Sequence, residues 1–99
     1  MEIEFADPGL ELIETNEAGA TRLPVAVIKS TRRKLTVLRS APDDRTMRNW
    51  KSLHHEKLKG DREGQRSICI NKQYRMVFTL DSETEPQIIT VLAIEDYHP

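Results

Sequence analysis

The chain has one cysteine, Cys69, among 99 residues, so no internal disulfide can form and a reducing cytoplasm is the expected compartment. No apolar run approaches the roughly 18 residues of a membrane span. The opening MEIEF is acidic where a secretory signal would begin basic. The motifs of common cofactor and hydrolase chemistry are missing too: no Walker loop, no dinucleotide fingerprint, no serine elbow and no His-Glu-x-x-His helix. His54-His55-Glu56 is too compressed for one ordinary zinc site, so neither a metal nor a cofactor is expected.

What is present is a segregated charge. The formal net charge is only −1, yet all 15 Lys and Arg fall between Arg22 and Arg75. That window holds five acids (Asp43, Asp44, Glu56, Asp61, Glu63) and so carries a net +10. The other 11 acids lie within the first 17 residues and from Asp81 onward. Such segregation favours a phosphate-rich or acidic partner.

Ninety-nine residues suit a single domain spanning 1–99 with a modest core. Glu2-Ile3-Glu4-Phe5 alternates and reads as a short first strand. Asp7-Pro8 starts a short helix to about Thr15, with Leu10 and Ile13 buried. A second helix is expected from Leu23-Pro24 to about Arg39, with Val25, Ile28, Leu35 and Leu38 on its apolar stripe. Lys29, Arg32, Arg33 and Lys34 sit largely off that stripe. Met47, Trp50 and Leu53 read as core beyond Pro42.

The segment Leu58 to Phe78 is a charged turn followed by a hairpin. Period-two alternation puts Arg66, Ile68 and Ile70 on one face of the first strand and Ser67, Cys69 and Asn71 on the other. In the second strand Tyr74, Met76, Phe78 and Leu80 share a face that should pack on the second helix. Arg75, Val77 and Thr79 then point to the opposite face. Gln87 to Glu95 is apolar on both sides, as expected of a strand interior to the sheet. The result is an α+β domain: a short N-terminal strand, two helices and a mainly antiparallel sheet of about three to four strands.

Phosphodiester chemistry needs a group to deprotonate the attacking hydroxyl, one to protonate the leaving oxygen, and cations for the charge on phosphorus. The candidates are His54, His55, His98 and Tyr97 for protons, and Lys57, Lys59, Arg62, Arg66 and Arg75 for charge. Each has an ordinary alternative: a histidine near a terminus is usually surface, and cations in a Gly-rich turn usually solubilise. Cys69, flanked by two isoleucines, reads as a structural thiol rather than a nucleophile. Residue chemistry alone stops at a small domain with a basic surface and a few histidines.

The hairpin and tail resemble the HigB branch of the RelE-type toxins (also called plasmid maintenance killer proteins), from bacterial toxin–antitoxin pairs. The residues carrying the resemblance are Leu58-Lys59-Gly60-Asp61-Arg62-Glu63-Gly64, Ser67-Ile68, Ile70-Asn71, Tyr74-Arg75-Met76-Val77-Phe78 and the closing Glu95-Asp96-Tyr97-His98. The resemblance implies a RelE-like fold and an mRNA interferase that cuts messenger RNA, typically on a translating ribosome. The family reaction is metal-independent attack of a ribose 2′-hydroxyl on the adjacent phosphate. Carried over, His98 is the leading acid or base, and Asp96 and Tyr97 position it or the substrate. Lys59 and Arg75 stabilise phosphate charge, with His54 a further catalytic candidate, while Lys57, Arg62, Arg66 and Lys72 are candidate RNA contacts. The implied partners are a HigA-like helix-turn-helix antitoxin, mRNA, the ribosome and, through the antitoxin, operator DNA. The sequence departs from the family pattern at Gln65-Arg66, where an aromatic is common, and in the long His54-His55-Glu56-Lys57 approach. These departures keep a second reading open: a non-catalytic RNA- or antitoxin-binding module of the same fold, acting in a transcriptional repressor complex.

Overall fold

The longest alternating run in the sequence becomes the centre of the sheet. The computed structural model, which describes residues 1–97, has five strands: β1 (Glu2–Phe5), β2 (Glu56–Lys57), β3 (Arg66–Cys69), β4 (Tyr74–Asp81) and β5 (Ile88–Asp96). They lie in the order β1-β5-β4-β3-β2. β1 runs parallel to β5, and every other neighbouring pair is antiparallel. The apolar β5 is interior, between β1 and β4, as its two-sided hydrophobicity predicts. The fifth strand, β2, has only two residues and too little pattern to be read from sequence.

One face of the sheet holds the core. Ile68, Met76, Phe78, Ile89 and Val91 are completely buried there against Val27, Leu35 and Leu38. A bulge in β5 makes this possible: Val77 pairs with Ala93 and Phe78 with Val91, so Leu92 is the extra residue. Val91 and Ile94 thus reach the same face although three apart, aligned with Phe78 and Met76.

Among the described residues three α-helices accompany the sheet: α1 (Pro8–Glu11), α2 (Val25–Ser40) and α3 (Arg45–Asn49). Asp7 caps α1, its carboxylate accepting from the Gly9 N–H at 2.8 Å, with Pro8 at the first position. The expected helix to Thr15 breaks after Glu11 into a 3₁₀ turn over Leu12–Glu14. In α2 the buried stripe is Val27, Ile28, Ser30, Thr31, Leu35 and Leu38, and Val25 is 66% exposed. The expectation for Val25 fails because it is the first helical residue, two positions ahead of Val27, where the buried stripe begins. Ser30 is buried because its hydroxyl donates to the Ile70 carbonyl at 2.7 Å, and Lys34 Nζ donates to the same oxygen at 3.0 Å. These bonds pin α2 to the hairpin end. Met47 and Leu53 are fully buried, while Trp50 is half-buried beside them. Met1 closes the far end of α2: its ammonium donates to the Leu38 and Ala41 carbonyls at 3.1 and 2.6 Å, where the helix end carries partial negative charge.

Candidate active site

The opposite face of the sheet has a different composition. Along the ladder, Ser67 stands opposite Val77, Cys69 opposite Arg75, and Arg75 opposite Glu95. Because β4 alternates strictly, Arg75 points away from α2, as the sequence predicts, yet it is only 7% exposed. Its Nε donates to Ser67 Oγ at 3.0 Å, one terminal nitrogen to Cys69 Sγ at 3.2 Å, and the other to the His54 carbonyl at 2.7 Å. None of these acceptors is a carboxylate. Among the described residues no carboxylate forms an ion pair with this guanidinium, so its positive charge remains available.

His54 supplies its carbonyl by adopting a left-handed backbone, with φ of +45°. Its side chain is exposed and lines a separate cleft with Lys34, Ser52, Cys69, Ile70, Asn71 and Lys72. In that cleft burial, and then the charge of Arg33, pushes the Lys34 ammonium below its ordinary pKa.

The tail closes over Arg75. Tyr97, 45% exposed, lies with its ring centroid 5.3 Å from the Arg75 guanidinium carbon, a cation–π arrangement. The Tyr97 N–H donates to the Gln73 carbonyl, and Gln73 Nε2 donates to the Asp96 carboxylate at 3.2 Å. Both contacts tie the tail to the hairpin turn. His98 lies outside the described residues.

The charged turn arches over the same face. Gly60 and Gly64 have φ of +67° and +90°, values that favour glycine, and they bracket a 3₁₀ turn over Gly60–Arg62. Arg62 projects from it and grips both carboxylate oxygens of Glu95, at 3.0 and 2.6 Å. This pairing raises the Arg62 pKa further above its already high value. Together Glu56, Leu58, Arg62, Ser67, Arg75, Val77, Glu95 and Tyr97 enclose a small cleft of about 60 Å³.

The structure therefore divides the residues singled out by sequence. Arg62, Arg75 and Tyr97 share this cleft, and Asp96 stands at the end of β5 just before Tyr97. Lys59 is exposed at the start of the turn. Lys57 and Arg66 lie on the other side, lining a groove with Leu58, Gly64, Gln65 and Leu80. There Arg66, opposite Phe78 in the ladder, pairs with Asp44 at 3.2 Å. His55 lies near this pair, its ring centroid 6.4 Å from that of Phe78 and its Nε2 buried with no hydrogen-bond partner among the described residues. Burial, and then the charge of Arg66, pushes the His55 pKa below its ordinary value. Ser67 and Glu95 carry the resemblance, but the sequence assigned no site role to them or to Glu56. Glu95 shares the phase of Arg75, but that is visible only once the β4–β5 register is known.

Comparison with known proteins places this architecture. Residues 3–98 match the family described as the RelE-like toxin of type II toxin-antitoxin system HigB. Toxin HigB-1 of Vibrio cholerae serotype O1 is 32% identical over 78 residues, covering 79% of this chain and 82% of that protein. The fold is similar to that of YafQ from E. coli strain BL21(DE3), with a TM-score of 0.67 at 10% identity over 96% of this chain and 91% of that one. It is also similar to the chain matched in the heterotetrameric YoeB-YefM toxin-antitoxin complex from Staphylococcus aureus. There the TM-score is 0.62 at 22% identity, over 100% of this chain and 98% of that one. Among the described residues no helix is long and apolar enough to cross a membrane. A five-stranded sheet with a buried arginine beneath its tail, a glycine-bracketed basic turn and a family match across nearly the whole length lead to one conclusion: the chain belongs to the HigB-like branch of the RelE-like toxins of type II toxin–antitoxin systems.

Proposed function

We propose that the chain is an endoribonuclease that cuts mRNA on the translating ribosome. The observation that carries this reading is Arg75: a nearly buried guanidinium with no carboxylate among its acceptors, at the floor of a cleft roofed by Tyr97. A desolvated guanidinium without an ion-pair partner is costly to maintain and suits a developing phosphorane anion. In the proposed step a ribose 2′-oxygen loses its proton and bonds to the adjacent phosphorus. The bond from phosphorus to the 5′-oxygen breaks, and that oxygen takes up a proton. The products are a 2′,3′-cyclic phosphate and a 5′-hydroxyl. His98 acts as the acid or base by family resemblance, Asp96 and Tyr97 position it or the substrate, and Arg75 and Lys59 neutralise charge. No step requires a metal.

The partner in this reading is a HigA-like helix-turn-helix antitoxin, through which the toxin also reaches operator DNA. The YoeB-YefM complex supports pairing with an antitoxin. Growth and the acting compartment are then cytoplasmic matters: expression without the antitoxin should arrest growth, mapped mRNA ends should show new cuts, and His98→Ala should abolish both. Unchanged growth and intact mRNA on induction of the wild-type chain would sink the proposal.

A second reading has its own observation. Arg62 is already paired with Glu95, and Glu56 adds another carboxylate to the cleft. A non-catalytic RNA- or antitoxin-binding module predicts salt-sensitive RNA binding without cleavage, and no effect of His98→Ala.

A further inference from the structure

The cleft as it stands is too small for its proposed substrate. It encloses about 60 Å³, against the ~300–1,000 Å³ of ordinary small-ligand sites. Two elements shut it: Tyr97 above Arg75, and the turn carrying Arg62 to Glu95. The second closure has the form of a phosphate complex. A planar guanidinium grips two oxygens of one anion, as it would grip a phosphodiester. Glu95 is also the direct cross-strand neighbour of Arg75, a position whose Cβ lies ~5 Å away. The carboxylate that Arg62 grips therefore belongs to the strand neighbour of Arg75, and both arginines line the same cleft.

We propose that the Glu95 carboxylate holds the place of a substrate phosphate, and that Arg62 and Arg75 form a phosphodiester subsite which RNA opens by displacing Glu95. This rests on the ribonuclease reading and deepens it. The pair that must break is a weak one to lose: the Arg62 and Glu95 side chains are 48% and 38% exposed, and exposed pairs contribute little. The turn has hinges where they are needed, because Gly60 and Gly64 flank Arg62 at positive φ. Arg75 does not move in this scheme, since Ser67, Cys69 and the His54 carbonyl hold it. Arg62 swings with the turn, exchanges a carboxylate for a phosphate, and leaves Glu95 to solvent. Glu95 then sets a threshold: a single weak anion fails to open the cleft, while a polyanion with neighbouring phosphates succeeds.

The test is a double-mutant cycle on RNA affinity. A ten-nucleotide 2′-O-methyl RNA, which lacks the attacking hydroxyl, is titrated by fluorescence anisotropy against the full chain. The proteins compared are wild type, Glu95→Gln, Arg62→Ala and the double variant, with Glu63→Gln as a charge-matched control on the same turn. Glu95→Gln should tighten binding about two- to fivefold, the span of an exposed ion pair. Arg62→Ala should weaken binding, and the gain from Glu95→Gln should vanish in its background. Hydrogen exchange of the 60–64 amides should quicken in Glu95→Gln and in Arg62→Ala, and not in Glu63→Gln. Equal tightening with and without Arg62, or equal tightening by Glu63→Gln, overturns the subsite and leaves the nuclease reading standing. Absence of RNA binding by every protein ends the nuclease reading, and the subsite falls with it.

Discussion

The two faces of this sheet are built on the same strands but tolerate change differently. The helix face is filled by interchangeable apolar surface: Ile68, Met76, Phe78, Ile89 and Val91, all fully buried. The other face is held by specific polar contacts, in which Arg75 alone joins Ser67, Cys69, the His54 carbonyl and the Tyr97 ring. Hydrophobic packing fixes volume and adds non-directionally. A buried guanidinium fixes directions and leaves several partners unmet if removed. The comparison predicts that the helix face carries stability and the second face carries activity.

Phe78→Ala should break the comparison on the stability side, costing about 3–5 kcal/mol in denaturant unfolding, because the ring fills the middle of the core. A loss below 1 kcal/mol would show that the helix face is not the stabilising layer. Arg75→Lys should retain the fold but lose mRNA cleavage by on the order of 10²-fold, since an ammonium cannot reproduce the guanidinium fork. Cleavage at wild-type rate would remove Arg75 from the chemistry.

A smaller effect belongs to His55, beneath the helix face. Its pKa is pushed down by burial and by Arg66, so the unfolded chain takes up the proton first as pH falls. The stability this contributes is complete above about pH 6.5 and is lost as pH drops through the folded value. The melting temperature should fall between pH 7 and 5.5 more steeply in wild type than in His55→Gln. Parallel slopes would refute this. The smallest effect is expected from Glu14→Gln, which removes the surface partner of Arg39. It should change stability by less than about 1 kcal/mol in the same unfolding assay.

What was legible in the sequence follows from range. The faces of β4 were legible because eight alternating residues leave one assignment, and Asp7-Pro8 was legible because a cap acts over two residues. The parallel pairing of β1 with β5 and the Arg62–Glu95 contact were not, because each joins residues far apart in the chain through a register that no local signal sets. Val25 misled because helical spacing marks a stripe but not where packing begins along it. The grouping of site residues was legible only in part. Resemblance singled out Arg62, Arg75 and Tyr97, but folding set Arg66 and Lys57 on the other side, and the contact of His54 with Arg75 is made by its backbone carbonyl, which accepts from the guanidinium.

Leu92 is the extra residue of the β5 bulge, and its neighbours already pair as a regular ladder would pair them without it. Deleting it would leave Val77 opposite Ala93 and Phe78 opposite Val91. What would change is the bend and twist that a bulge adds to the strand carrying it. The direction in which the end of β5 carries Glu95, Asp96 and the following Tyr97 is therefore adjustable separately from the pairing that holds it. Deletion of Leu92 should therefore keep the scaffold of this chain and re-aim its tail.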